Sequence, residues 1–240
     1  MMIDAIFIQS WHGEIVNGQL EQFLQHLHDT PHNPVPVWVF MDQNTLSDDT
    51  WIEVIDRLSK QHDIRFEFVD DTKYGNAQTT VFYHMLCSKQ TMYPHMLLLE
   101  SDCRLKPNFD QPINHDIQSL CDDWWVYGST YYGVAGGDTE TDSNQLRRNH
   151  MNGVAVYNRS RQDLLNFAKH VYITQSGVDA DDAFDWLFAK CYFNSSFREQ
   201  SLLYDSPYII NMSPTWDIGV STTTRKPLAT IIHQKSGTNS

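Results

Sequence analysis

The sequence predicts an α/β fold, a single domain with a mostly parallel central sheet flanked by helices. Three observations predict it. Short apolar runs alternate with longer segments of helical period through the first hundred residues. Each run stops at a polar or acidic residue, as strands do when they reach a crevice. One run, Met96-Leu97-Leu98-Leu99, is apolar without alternation, which suits a strand covered on both faces.

The elements follow in order. Ile3 to Gln9 reads as a first strand that closes in the polar turn Gln9-Ser10-Trp11-His12-Gly13. Leu20, Phe23, Leu24 and Leu27 recur at helical spacing and predict a helix over 18–28. Val35 to Met41 is a second strand ending at Asp42, and Trp51, Val54, Ile55 and Leu58 mark the next helix. Arg65 to Val69 is a third strand, stopped by Asp70-Asp71. A helix over 76–90, with Thr80, Tyr83, His84 and Cys87 on one side, leads to a strand that starts after Pro94 and ends in the carboxylate cluster Glu100-Ser101-Asp102, with Pro107 stopping the segment soon after. Right-handed crossovers between such strands make a largely parallel sheet.

The second half differs in texture. Trp124 to Ser129 and Val154 to Tyr157 read as strands separated by a Gly/Asp/Thr/Asn loop over 133–150, a length usual for a functional segment. Asp163 to Val171 and Asp181 to Cys191 predict helices, Ser206 to Asn211 an extended stretch, and Leu228 to Gln234 a last short strand. Neither internal repeats nor an interdomain linker is visible, so residues 1–240 are expected to form one domain.

Composition narrows the function classes. Seventeen basic against thirty acidic residues give a net charge of −13, which repels polyanions and disfavours a nucleic-acid partner. Arg147-Arg148 and Thr224-Arg225-Lys226 read as ordinary solvated loop charges in preference to an anion site, although a diphosphate needs only one or two cations. No stretch approaches the ~20 apolar residues that span a bilayer, and the start lacks the basic and apolar regions of a secretory signal, so a soluble, cytoplasmic protein is expected. Cys87, Cys103, Cys121 and Cys191 form no CxxC pair and are read as reduced thiols. The absence of GxGxxG and GxxxxGK[ST] patterns counts against a dinucleotide oxidoreductase and a P-loop NTPase.

The chemistry concentrates at the end of the fourth strand. Like charges at Glu100 and Asp102, beside a buried sheet edge, are costly unless something neutralises them, and a hard divalent cation would do so. The apolar strand followed by Glu100-Ser101-Asp102 resembles, in variant form, the DxD motif of GT-A glycosyltransferases. The order of the remaining features is similar too: a strand-helix-strand half, the acidic triplet, a small-residue strand, an acidic helix start and a late His. The resemblance spans nearly the whole chain as a pattern, and its specific motifs are the triplet and His233.

The resemblance implies a GT-A-like domain with a nucleotide-binding half (1–107) and an acceptor-side half (108–240). It implies that Asp102 and His233 hold Mn²⁺ or Mg²⁺ with Glu100 in support, the cation bridging the phosphates of a nucleotide-diphosphate sugar, with a UDP-sugar as the first expectation. Gln9, Asp42, Asp71 and Lys73 fall where base and ribose would lie, and Lys235 where it would approach a phosphate oxygen. Asn152 and Gly153 would approach a sugar, although an Asn-Gly turn explains the same pair. Asp182, or Asp181, would take the proton of the acceptor hydroxyl in an inverting reaction, although acids there also suit a helix cap. The expected activity is hexosyl or pentosyl transfer to a glycan or small polar acceptor, with aromatics such as Trp124, Trp125, Tyr131, Tyr132 and Trp216 available either to sugar rings or to the core. Two alternatives stay open: a nucleotidyltransferase of related fold, and a non-catalytic sugar- or metal-binding domain.

Overall fold

Ala5, Ile6, Phe7 and Ile8 are all buried, so the first strand, β1 (Ala5–Gln9), needs apolar cover on both faces. The computed structural model describes residues 2–43, 50–70, 77–88, 92–132, 151–175, 184–212 and 226–234. β1 lies between β2 (Val37–Asp42) and β4 (His95–Glu100), parallel to both, and β3 (Ile64–Val69) extends the sheet beyond β2. The crossovers carry α1 (His12–Val16), α2 (Gln19–Asp29), α3 (Thr50–His62) and α4 (Ala77–Cys87).

The period of two along each strand divides the core. Ile6, Ile8, Val39, Leu97 and Leu99 pack with Leu20, Phe23, Leu24 and Leu27 of α2 and with Ile113 and Ile117 of α5 (Asp110–Ile117). Ala5, Phe7, Phe40, Met96 and Leu98 face the other way, onto α4, α6 (Gln162–Gln175) and α7 (Phe184–Phe193). Each fully buried aliphatic or aromatic side chain contributes roughly 1.5–3 kcal/mol, so the two layers together hold the sheet. Trp124 and Trp125 are 2% and 0% exposed and belong to this core. Because α4 is covered by both sheet and helices, Thr79 to Tyr83, Met85 and Leu86 are buried nearly all round it while His84 is exposed, a broader buried face than the expected one.

The second half adds antiparallel strands without displacing the parallel majority. β7 (Met151–Asn158) runs antiparallel to β4, and β6 (Val126–Tyr132) antiparallel to β7. β6 then forks: Val126 to Gly128 pair with β8 (Leu203–Asp205), whereas Tyr131 and Tyr132 pair with β9 (Ile209–Met212). β10 (Ile231–Gln234) runs parallel to β9, and β5 (Cys103–Leu105) closes that side antiparallel to β10.

Four elements depart from expectation. The polar turn after β1 is the short helix α1, too brief for a periodicity to reveal it. It ends at Gly18, whose φ of 75° lets α2 start at once while its N–H bonds the carbonyl of Ile15. The fourth strand ends at the acids as expected, at Glu100, but after a turn at Ser101-Asp102 the chain re-emerges as β5, an unexpected short strand beside β10. α5, with Pro112 in its first turn where a missing N–H is tolerated, and the three-residue β8 carry too little pattern to be anticipated. The expected loop over 133–150 and the expected helix start at 181–183 lie outside the described residues. Among the described residues, no helix is long and apolar enough to cross a membrane.

Candidate functional site

The turn at Ser101-Asp102 creates the site. It transfers the chain from β4 to β5, whose register sets His233 opposite Cys103, and β10 in turn sets His233 opposite Asn211 of β9. His233 thereby arrives beside the acidic turn. Its Nε2 stands 3.0 Å from Asp102 Oδ1 and 3.2 Å from Glu100 Oε2. One ligand-capable atom from each of the three residues falls within 4.8 Å of the others.

His233 is 0% exposed. Burial by itself would lower the basicity of its imidazole, but the neighbouring Glu100 and Asp102 carboxylates more than reverse this and raise it to about 10. Asp102 Oδ1 and His233 Nε2 are both buried and make no well-aligned hydrogen bond with any described residue, although they face one another. Buried polar atoms are ordinarily satisfied, so two that converge with a second carboxylate form a donor set that fits a divalent cation. Mixed imidazole and carboxylate donors suit Mn²⁺ better than Mg²⁺, which favours an all-oxygen shell.

A cleft of about 230 Å³ adjoins this cluster. Gln9 and Asp42 line it from the carboxyl ends of β1 and β2, Glu100 from the end of β4, and Gln78 from the start of α4. This is the crevice position expected for ligands of open α/β sheets. A larger groove of about 480 Å³, lined by Leu24, Pro34 and Ile64 among others, lies at the amino ends of β2 and β3, away from the acids.

Glu14, Ser101 and Trp11 have roles around this cleft that the sequence does not announce. Glu14 of α1 lines it and accepts a 2.7 Å hydrogen bond from Ser10 Oγ. Burial raises the Glu14 carboxyl above its ordinary range; hydrogen bonds with Ser10 and Ser101 oppose this, and the Glu100 and Asp102 charges reinforce it. Ser101, buried between the two acids, also accepts from Gln19 Nε2 at 2.9 Å, so α1 and α2 both grip the turn. Trp11, half exposed, lays its ring over Gly13 at the same cleft. Only the unexpected α1 brings these groups here, and its sequence signal was Gly18 as a helix stop.

Of the remaining expected residues, Asn152 and Gly153 lie within β7 rather than in an Asn-Gly turn, at the end of that strand nearest the carboxyl end of β4. Asp71, Lys73, Asp181, Asp182 and Lys235 lie outside the described residues. Lys226 is not a solvated loop charge. It is 7% exposed, and its Nζ reaches Asp205 Oδ1, Ser129 Oγ and the carbonyls of Ser206 and Ile209.

No protein-family model matches the sequence, and neither does any curated protein sequence. Solved structures do match. The glycosyltransferase GlyE of Streptococcus pneumoniae TIGR4 aligns with a TM-score of 0.57 at 16% identity over 99% of this chain and 55% of its own. Mouse xyloside xylosyltransferase 1 aligns with a TM-score of 0.55 at 12% identity over 97% of both chains. The bifunctional glycosyltransferase WbbM aligns with a TM-score of 0.62 at 12% identity over 97% of this chain and 45% of its own. The chain thus spans about half the length of GlyE and WbbM. At these identities the likeness is one of fold, and the fold is that of known glycosyltransferases.

Proposed function

We propose that the protein is a metal-dependent glycosyltransferase that moves a sugar from a nucleotide-diphosphate donor, a UDP-sugar first, to a hydroxyl of a glycan or small polar acceptor. The observation that carries this reading is the convergence of Glu100, Asp102 and His233 beside a cleft at the carboxyl ends of parallel strands, in a fold shared with known sugar transferases. In it, Asp102 and His233 hold Mn²⁺ or Mg²⁺, with Glu100 in support. The bound ion supplies positive charge against the diphosphate as it leaves.

The chain's own groups do the rest. Residues 1–107 receive the nucleotide. Gln9, Asp42 and Trp11 offer polar and aromatic contacts from the cleft wall, and Asp71 and Lys73 serve base and ribose. Asn152 and Gly153 border the sugar, and Lys235, two residues after His233, neutralises a phosphate oxygen. Residues 108–240 receive the acceptor. In an inverting reaction Asp182, or Asp181, takes the hydroxyl proton as the acceptor oxygen bonds the anomeric carbon and the diphosphate departs with the old bonding pair; in a retaining one the same acid orients the acceptor. The acidic α1, with Glu14 and no Gly-rich basic loop, suits this reading better than a nucleotidyltransferase.

Titration with Mn²⁺ and UDP-hexose tests the proposal. Wild-type protein is expected to bind Mn²⁺ and release UDP slowly without acceptor, and Asp102→Asn to lose both. Cation-dependent donor binding that survives in Asp102→Asn would overturn the metal assignment. Binding without any UDP release would favour a non-catalytic domain.

A further inference from the structure

His233 is a useful cation ligand only if its Nε2 presents a lone pair, and the structure contains a device that selects this tautomer. Asn211 Oδ1 lies 2.8 Å from His233 Nδ1, while Asn211 Nδ2 donates to the carbonyl of Ser129 at 3.3 Å. A carbonyl can only accept, so the amide must turn its NH₂ to Ser129 and its oxygen to the imidazole. Nδ1 then carries the hydrogen and donates it, leaving Nε2 facing Glu100 and Asp102. Ser129, Asn211 and His233 are each 0% exposed, so no water competes for these groups.

Lys226 braces the device. It sits where β6 exchanges β8 for β9, a fork that leaves carbonyls without ladder partners. The ammonium bonds the carbonyls of Ser206 and Ile209 at 2.6 and 3.2 Å, and Ser129 Oγ at 3.2 Å. Ser129 Oγ also accepts from the Asn211 backbone N–H at 3.3 Å. The amide that reads the imidazole is thus held at both its backbone and its side chain.

We propose that Asn211 is a positioning residue that sets the His233 tautomer for cation binding, with Ser129 and Lys226 holding its amide in the required orientation. This inference rests on the metal reading of the site. Residues that bond the far nitrogen of a ligating imidazole typically govern metal affinity by roughly 10- to 100-fold.

The test is Mn²⁺ affinity, followed by the electron paramagnetic resonance of free Mn²⁺, in wild type, Asn211→Leu and Asn211→Asp, with thermal melts to establish folding. Asn211→Leu is expected to bind roughly 10- to 100-fold more weakly. Asn211→Asp, which keeps an acceptor toward Nδ1, is expected to retain affinity to within about threefold of wild type, and a purely structural role for Asn211 would not separate the two variants. Equal affinity of Asn211→Leu and wild type would overturn this inference alone. If Asn211→Leu fails to fold, a drop in affinity of folded Asn211→Asp as large as that of Lys226→Met would overturn it, and retention in the former with loss in the latter would support it. Absence of Mn²⁺ binding by the wild type would overturn both the metal reading and the inference built on it.

Discussion

His233 Nε2 lies 3.0 Å from Asp102 Oδ1, where a strand from the middle of the chain meets one near its C-terminus. This contact makes metal-free stability depend on pH. The imidazole titrates near its ordinary 6.5 in the unfolded chain and near 10 in the fold, because the two acids outweigh the cost of burial. The folded state binds the extra proton between these values. Its contribution is therefore complete below about 6.5 and is lost as pH rises through about 10. Urea titrations in chelator should show stability falling across that window, by on the order of a few kcal/mol. His233→Gln should flatten the slope, and an unchanged slope would refute the coupling.

The same proton must leave when a cation takes Nε2. Mn²⁺ affinity should rise as pH rises toward 10, with close to one proton released per ion at neutral pH. Calorimetry in two buffers of different ionisation enthalpy measures this number directly. A value near zero would mean that His233 is not displaced from its protonated pair.

Lys226→Met should destabilise the fold by about 2–4 kcal/mol, read from urea titration. The loss comes chiefly from the carbonyls of Ser206 and Ile209, which lose a buried donor; Asp205 is substantially exposed and contributes little. A change under about 0.5 kcal/mol would show that water or neighbouring groups satisfy the fork.

Gly128 is a packing requirement. A Cβ there would stand 2.6 Å from the Cβ of Ala155 on β7 and 3.3 Å from the Val154 carbonyl. Gly128→Ala should cost about 1–3 kcal/mol, and adding Ala155→Gly should restore part of it. Strict additivity in that double-mutant cycle would argue against the clash.

Trp11→Ala should raise the donor KM roughly 3- to 10-fold, as loss of one aromatic platform predicts. Mn²⁺ affinity should not move, since the indole borders the cleft and not the His233 cluster. Enzyme kinetics beside metal titration separate the two effects. Parallel loss of both would assign Trp11 to the fold instead.

Elements of strong local pattern were legible before any coordinates. The strands at β1 to β4 and the helix at α2 reveal themselves through burial on one period, because two-sided cover demands uninterrupted apolar residues and one-sided cover demands helical spacing. Short elements were not. Five residues in α1 and three in β8 hold too few positions for any period to emerge, and their stability derives from neighbours. Asn152 and Gly153 read equally well as a turn, and only pairing with β4 and β6 drew them into a strand.

The candidate site divides along the same line. By itself, the sequence determined which chemistry was on hand: acids closing an apolar strand and an imidazole closing another, since local composition and strand ends follow from adjacent residues. Tertiary structure alone decided that the chain turns at Ser101-Asp102, that Lys226 is buried, that Glu14 joins the acids, and that Asn211 meets His233. Those relations depend on strand register between distant segments. Register is a global solution of packing and hydrogen-bond satisfaction, which no local stretch of residues encodes.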